Sequence, residues 1–426
     1  MKRCKVILVT AFALFSLFFG AGNLILPPLL GLQSGENWWL MTLGFGLSAV
    51  LVPILGILAH ARLQGTLFDF GKKVSGSFSL VYCFLIYTIS ITLPSPRTAS
   101  VTHEMAIEPL FHSPPWVTSF LYFLLVFLFA MNRSRILDLV GKWLTPAILI
   151  ILMLIIGLCW YHYHPVLHTP PMARTFTHGM LEGYQTFDAI AATVVGGVIL
   201  VSLNLKEIPA SYDRKKTLIR NAAWIAGMAL FLVYAGLILS GALTRSEFDP
   251  SISRTALLSG ISALVLGPST KILLSLLVSL ACFTTAVGII AGTADFVRTR
   301  FPTNPSSYGI TAALACTIGS LVGAFEVGFI IRIAIPVLMF VYPLTIILIL
   351  LNVLPEKYTL PVTFRWVVAT TLLFSVPDFL ISIGWDKFPG MVEGYIPLSR
   401  YQIGWLVPAM AVFLLSNLPA VRRRKV

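Results

Sequence analysis

The chain has 426 residues, of which 57% are hydrophobic and 11% are charged, and its mean hydropathy is +0.88. Soluble globular domains carry about 25% charged residues, so the composition excludes an ordinary soluble protein. The net charge of +13 would suit a protein that binds nucleic acid phosphates, but the basic residues are distributed among loops between apolar segments. The composition therefore indicates a membrane protein and no nucleic-acid partner.

Apolar segments recur along the whole chain. A transmembrane helix needs about 20 predominantly apolar residues, and about twelve segments approach or exceed this length. They lie at about 6–31, 37–59, 78–97, 115–131, 143–163, 173–204, 221–243, 268–294, 307–325, 327–353, 363–384 and 401–418. We therefore expect an all-α polytopic membrane protein with about 12 transmembrane helices in the lipid bilayer.

The basic residues indicate the orientation of the spans. With the N-terminus inside, 22 of the 30 Lys and Arg residues fall on the cytoplasmic side and 6 fall on the opposite side. The positive-inside rule then places both the N- and C-termini in the cytoplasm. The first segment follows a basic N-terminus, as in a signal peptide, but no A-x-A cleavage site follows it, so we expect it to be retained. The basic cluster at 422–425 is expected to contact anionic headgroups.

Motifs of soluble enzymes are missing from the sequence. Residues 65–73 have one residue too many for a phosphate loop, and no Ser or Thr follows the lysine, so no ATP-binding motif is present. His103-Glu104 begins like a zinc-protease helix, but Ile107 stands where the second histidine would be needed. The five cysteines lack paired spacing. We expect neither an enzyme nor an ATP-driven pump, and no cofactor.

The first apolar segment contains a break. Residues 20–23 read Gly-Ala-Gly-Asn near the expected midplane, and Pro27-Pro28 follows. Freed backbone groups cannot be satisfied by hydrocarbon, so a break there has to line protein or a water-filled cavity. Taken alone, the four residues fit a binding site and a close helix crossing equally well. The two prolines predict a second interruption, which packing alone does not require.

A second break occurs five spans later, at residues 183–188, which read Gly-Tyr-Gln-Thr-Phe-Asp. Interrupted spans at corresponding positions of two halves are typical of transporters built from inverted repeats. The repeats would cover about 6–163 and 173–353, with appended helices at about 363–418, in one domain of residues 1–426. A carboxylate at Asp188 would be costly near the midplane, which favours a functional role, but it would also serve as the N-cap of the second half-helix.

The eighth span carries Thr284-Thr285 within an apolar run. Threonine hydroxyls in membrane helices commonly bond to the carbonyl one turn earlier, which is one interpretation of the pair. The alternative is that the hydroxyls, with a freed carbonyl, bind a small hard cation, since such ions prefer several oxygen ligands. The residues alone leave both interpretations open.

Several stretches, taken together and in order, resemble the branched-chain amino acid:cation symporter family (LIVCS) of the amino acid/polyamine/organocation superfamily. They are Phe-Gly-Ala-Gly-Asn at 19–23 with Pro27-Pro28, Pro-Arg-Thr-Ala-Ser-Val at 96–101, Gly-Lys-Trp-Leu-Thr-Pro-Ala at 141–147, Leu-Glu-Gly-Tyr-Gln-Thr-Phe-Asp at 181–188 and Leu-Ala-Cys-Phe-Thr-Thr-Ala-Val-Gly at 280–288. The resemblance covers about residues 8–418. It implies a LeuT-like 5+5 inverted repeat with broken helices 1 and 6, plus two appended helices.

The resemblance also implies the function. We expect a secondary transporter of the bacterial inner membrane that imports leucine, isoleucine and valine by sodium-coupled symport, functioning as a monomer. The alternative is the same fold coupled to H+, or carrying another small apolar amino acid. A channel is disfavoured because nothing in the sequence marks a selectivity filter. Discrimination among the three substrates should be weak, because one methylene is worth only about 1–3 kcal/mol in an apolar pocket.

A substrate site at the two breaks follows from the same resemblance. The Ala21 and Gly22 amides would face the substrate carboxylate, and the Phe18 carbonyl would face its ammonium group. Tyr184 or Phe187 would cover the aliphatic side chain. The residues expected at this site are Phe18, Ala21, Gly22, Asn23, Tyr184, Gln185, Thr186 and Phe187.

The resemblance further implies a sodium site made of carbonyl and hydroxyl oxygens, and it favours the cation interpretation of the threonine pair. Its ligands would be the carbonyls of Ser16, Phe19 and Ala281 and the hydroxyls of Thr284 and Thr285. A second cation site at Asn23 and Thr186 occurs in some relatives. The candidates for gating or another polar function are Arg97, Glu104 and Asp188, and an acidic residue such as Glu104 is one candidate partner for Arg97.

Overall fold

The computed structural model describes residues 2–132, 144–163, 174–205, 211–267, 270–304, 306–385 and 395–418. These residues form helices and contain no β-strand. The α-helices are α1 (Lys2–Phe18), α2 (Ala21–Ser34), α3 (Trp38–Gly46), α4 (Val52–Leu63), α5 (Leu67–Gly71), α6 (Gly76–Thr92), α7 (Pro94–Thr102), α8 (Glu108–Phe111), α9 (Pro115–Ala130), α10 (Thr145–His162), α11 (Thr175–Tyr184), α12 (Asp188–Leu205), α13 (Tyr212–Leu243), α14 (Arg254–Leu266), α15 (Thr270–Arg300), α16 (Ser307–Val322), α17 (Val327–Val353), α18 (Pro361–Ser382) and α19 (Leu406–Ser416). Part of the 141–147 motif and the basic cluster at 422–425 lie outside the described residues.

The helices are long and apolar enough for a membrane protein. In the described part of the chain, seven helical stretches meet the length and hydropathy of a membrane span, and the bent pair α11–α12 would make eight. Further apolar helices of 10–17 residues include α1, α9, α16 and α19. The prediction of an all-helical polytopic membrane protein is therefore confirmed, whereas the number of twelve spans and the 5+5 repeat stay predictions.

Both predicted breaks interrupt the helical backbone. The first lies at Phe19 and Gly20, between α1 and α2, and Gly20 has an extended backbone with φ −116° and ψ −158°. The second separates α11 from α12, which are bent by 42° relative to each other. Phe187 in this second break has φ 63°, a left-handed conformation that is strained for a bulky residue, and strained residues cluster at functional sites.

The expected interruption at Pro27-Pro28 is wrong, because both prolines lie inside α2. Proline lacks the N–H that would bond to the preceding turn, but a membrane helix tolerates this loss where neighbouring helices surround the freed carbonyl groups. The described side chains of α2 are buried except at Gln33. The broken first span therefore runs through the interior of the bundle, which positions its break away from lipid.

Two glycines set the distance between α2 and α13, which are extensively packed together. A methyl group added at Gly31 would overlap the Ile238 carbonyl, and one added at Gly241 would overlap the Pro28 carbonyl. Small residues at a helix crossing allow two backbones to approach closely in a membrane protein. This crossing holds α13 beside α2, and so it determines which side chains of α13 reach the first break.

Candidate functional site

Three buried polar side chains connect the two breaks. The Asn23 amide on α2 donates to the Asp188 carboxylate on α12, with 2.6 Å between Nδ2 and Oδ2. The same amide donates to the Tyr234 hydroxyl of α13. This hydroxyl in turn donates to Asp188 Oδ2 at 3.4 Å. All three residues are at most 1% exposed. The carboxylate is therefore held in the interior of the protein by donors from two other helices.

The first turn of α12 is capped by residues other than Asp188. The Asp188 backbone N–H donates to the Thr186 hydroxyl at 3.2 Å, and the Ala189 N–H donates to the Tyr342 hydroxyl at 3.1 Å. These bonds satisfy amides that have no partner inside the helix. Because the Asp188 carboxylate bonds to Asn23 and Tyr234 instead, the geometry favours a role in the site over a capping role.

Arg97 lies between the two breaks and is not paired with its candidate partner Glu104. Its Nη1 donates to the Gln185 carbonyl at 2.7 Å, and the centre of its guanidinium is 5.2 Å from the centroid of the Phe187 ring. Glu104 accepts instead from the Val327 N–H at 3.0 Å. Glu104 lies seven positions after Arg97, which is a rise of about 10 Å along a helix axis, so the two side chains reach different partners.

Four of the five predicted cation ligands meet where the last turn of α1 touches the middle of α15, and Phe19 is the exception. The Thr284 hydroxyl donates to the Ser16 carbonyl at 2.9 Å and to the Ala281 carbonyl at 3.0 Å. The Thr285 hydroxyl lies 3.4 Å from the Ser16 carbonyl and 3.3 Å from the Leu17 carbonyl. The last carbonyls of a helix lack intrahelical partners. The structure thus gathers oxygens of Ser16, Ala281, Thr284 and Thr285, and it adds the Leu17 carbonyl.

The remaining predicted residues lie around the breaks. Phe18 is the last residue of α1, and Ala21 is the first residue of α2. The Phe19 ring stacks on Phe15 and Tyr234, with ring centroids 5.3 Å and 6.2 Å away. Among the described residues, no hydrogen bond links Phe19 to the threonine pair. The Tyr184 ring stacks on Tyr342 with a centroid separation of 4.2 Å.

A charged network that the sequence did not indicate adjoins the second break. Arg254 on α14 donates to the Gln185 side-chain oxygen at 2.7 Å and forms an ion pair with Glu182 at 3.4 Å. Gln185 also donates to the Glu182 carboxylate at 2.8 Å. Gln185 is therefore bonded through its carbonyl to Arg97 and through its side chain to Arg254. α14 thus covers one side of the break.

Tyr234 is the central residue that sequence reasoning missed. It stands alone in the apolar run 229–239, where an aromatic residue is usually read as packing. A buried tyrosine hydroxyl usually has a hydrogen-bond partner, but no polar residue stands one turn before or after Tyr234. The sequence therefore indicated that its partner lies on another helix.

Comparison with known proteins places the whole chain in one family. The model for "Branched-chain amino acid transport protein" matches residues 3–422. The branched-chain amino acid permease BrnQ of Corynebacterium glutamicum is 31% identical over 415 residues, which cover 95% of this chain and 93% of that relative. The permease of the same name from Bacillus subtilis is 30% identical over 433 residues, which cover 98% of each chain.

Solved structures of other transporters have a similar fold. A Na+-coupled sialic acid symporter in a substrate-bound, outward-open state aligns with a TM-score of 0.61 and 10% identity over 96% of this chain and 89% of that one. MhsT in complex with L-phenylalanine aligns with a TM-score of 0.58 and 16% identity over 96% of this chain and 98% of that one. At these identities the likeness shows the fold alone.

The relatives are named as permeases and carrier proteins, which are transporters. The prediction that the chain is a transporter rather than an enzyme is therefore confirmed, and so is the family indicated by the five sequence motifs. The chain belongs to the branched-chain amino acid transport protein family.

Proposed function

We propose that this protein imports leucine, isoleucine and valine by sodium-coupled symport with alternating access. The observation that carries the proposal is the meeting of the Thr284 and Thr285 hydroxyls with the Ser16 carbonyl at the end of α1. Several neutral oxygens in one place suit a hard cation, and they lie in the same broken span as the expected substrate residues. The branched-chain names of the relatives support the substrate class.

Sodium would couple to substrate through the broken first span. A cation that binds between α1 and α15 favours the conformation in which these two helices are in contact, and a ligand shifts an equilibrium by its difference in affinity for the two states. The substrate at the adjacent break benefits from the same conformation, and the coupling is reciprocal. Asn23 and Thr186 are the candidate residues for a second cation site, and each is hydrogen-bonded to Asp188.

Thr285→Ala is expected to raise the half-saturating sodium concentration for leucine uptake several-fold. The substitution removes a hydroxyl that faces the carbonyls of Ser16 and Leu17, and so it removes one oxygen ligand. Uptake of radiolabelled leucine into proteoliposomes, measured against external sodium, tests this.

Thr293→Ala is the matched control for this measurement. Thr293 lies on the same helix, but its hydroxyl donates to the Ile289 carbonyl one turn earlier at 2.9 Å, so its removal should leave the sodium dependence unchanged. If Thr285→Ala shows the sodium dependence of the wild type, the sodium site is elsewhere.

Proton coupling is a second candidate, and Asp188 favours it. A carboxylate buried between two breaks is a group that can take up and release a proton during transport. An imposed pH gradient that drives leucine uptake without sodium would support this candidate over the sodium one.

We further propose that the protein works as a monomer in a bacterial inner membrane, with both termini in the cytoplasm. The support for the orientation is the 22-to-6 distribution of basic residues. In this orientation the Arg254–Glu182–Gln185 network lies on the extracellular side of the second break.

A further inference from the structure

We propose that Arg97 binds the carboxylate of the transported amino acid. The assignment rests on the proposed function, because it names the group that recognises the substrate at the site already described. The resemblance assigned the carboxylate to the Ala21 and Gly22 amides, and the structure adds a guanidinium beside them. The transporter would then select zwitterionic α-amino acids over analogues that lack the carboxylate.

Arg97 lies where the expected substrate carboxylate would bind, at the N-terminus of α2. A methyl group added at Gly22 would overlap Arg97 Nη2, so the guanidinium lies directly against the second residue of α2. The N-terminus of a helix carries free amides and a partial positive charge, which attract anions. The guanidinium therefore lies next to the N-terminal turn of the 14-residue helix α2, where a carboxylate could bind to both.

The hydrogen bonding of Arg97 leaves donors for a ligand. Arg97 is 3% exposed, and its Nη1 is bonded to the Gln185 carbonyl. Its Nε is buried and has no hydrogen-bond partner, and no carboxylate of the described residues forms an ion pair with it. Asp188 acts on Arg97 only from beyond ion-pair distance, and a buried charge that no carboxylate contacts directly is costly unless a counter-charge binds. An amino acid carboxylate supplies both the charge and the acceptors, and a guanidinium suits a carboxylate because both are planar.

The opposite end of the substrate has a matching partner in the same site. Asp188 follows Phe187, whose ring lies against Arg97, and it is the one acidic residue in the sequence of α12. A substrate ammonium group would face this acidic side while the carboxylate faces Arg97. The site thus contains one basic and one acidic side chain, which a zwitterion requires, and the apolar side chain is left to contact the aromatic residues.

A comparison of leucine with leucinamide tests the assignment, because leucinamide keeps the ammonium group and replaces the carboxylate by a neutral amide. Binding of both to purified protein is measured by competition with radiolabelled leucine. The wild type should bind leucine at least ~30-fold more tightly than leucinamide, as expected for a buried charged pair that loses one partner. Arg97→Gln should weaken leucine binding by a similar factor and change leucinamide binding by less than about threefold.

Two further variants keep the test interpretable. Arg97→Lys retains the charge without the planar pair of donors, so it should bind leucine with an affinity between those of the wild type and Arg97→Gln. Arg254→Gln removes another arginine that is bonded to Gln185, and it should preserve the ratio of the leucine and leucinamide affinities. Size-exclusion profiles in detergent establish that each variant is folded. If Arg97→Gln does not fold, the assignment is tested by the leucine affinity of Arg97→Lys and by the ratio of the leucine and leucinamide affinities of the wild type.

The outcomes distinguish this proposal from the function on which it rests. A wild type that binds no leucine contradicts the proposed function itself. A wild type that binds leucine and leucinamide equally well contradicts the Arg97 assignment alone. Equal losses of leucine and leucinamide binding in Arg97→Gln also overturn it, because they show that Arg97 only holds the two breaks together.

Discussion

Asp188→Asn is expected to lower leucine uptake at least ~100-fold while the protein remains folded. The substitution keeps the shape of the side chain and removes its charge, which is held by the Asn23 amide and the Tyr234 hydroxyl. Removing one member of a buried charged network typically costs about 2–5 kcal/mol of interaction free energy, and this network joins both broken spans. Uptake of radiolabelled leucine in proteoliposomes measures the loss, and the melting temperature of the purified protein measures folding.

Asp378→Asn is the matched control for this prediction. Asp378 on α18 is as deeply buried as Asp188, but neither of its carboxylate oxygens has a hydrogen-bond partner. Its neutralisation leaves the contacts between the breaks in place, so the variant should keep uptake within about threefold of the wild type. If Asp188→Asn takes up leucine at the rate of the wild type, the Asp188 charge has no part in transport.

Gly241→Ala is expected to reduce the free energy of unfolding by about 3 kcal/mol, at the upper end of the range for overpacked sites. The added methyl group would overlap the Pro28 carbonyl of α2, and a backbone group cannot move aside as a flexible side chain can. The helices α2 and α13 would have to separate, which also displaces Tyr234 from the site. We expect the melting temperature in detergent to fall by several degrees and leucine uptake to fall with it.

Gly157→Ala provides the control for the change of residue type. Gly157 lies within α10, and a methyl group added there would meet no other atom within 4 Å. Alanine is favoured over glycine in a helix by about 1 kcal/mol, so this variant should be as stable as the wild type or slightly more stable. Equal melting temperatures for Gly241→Ala and the wild type would contradict the close crossing of α2 and α13.

The two breaks could be predicted from the sequence because their signals are local. Gly-Ala-Gly-Asn at 20–23 and the polar run 183–188 interrupt apolar segments, and hydrocarbon does not tolerate free backbone groups. A cation-binding role of the threonine pair could be predicted only through the resemblance, since neighbouring threonines also occur in ordinary membrane helices. The structure then brings Thr284 and Thr285 to the end of α1, as the resemblance implied.

Contacts between distant helices could not be predicted in this way. Tyr234 reaches Asp188 only because Gly31 and Gly241 bring α13 close to α2, and nothing in the local sequence of α13 reports that distance. Arg97 and Glu104 are close in sequence, but the rise of the helix separates them, and Arg97 turns to a carbonyl that the second break has freed. Pro27-Pro28 wrongly predicted an interruption of α2. The surrounding helices, which the local sequence does not report, allow α2 to continue through both prolines.

Counterflow and uptake of radiolabelled leucine in proteoliposomes, with sodium and pH gradients imposed separately, test the central claim most directly. Preloaded unlabelled leucine should accelerate entry of the labelled substrate, and an inward sodium gradient without a pH gradient should drive its accumulation. Failure of leucine to exchange would contradict the proposed substrate. Accumulation driven by the pH gradient alone, with no response to sodium, would contradict sodium coupling.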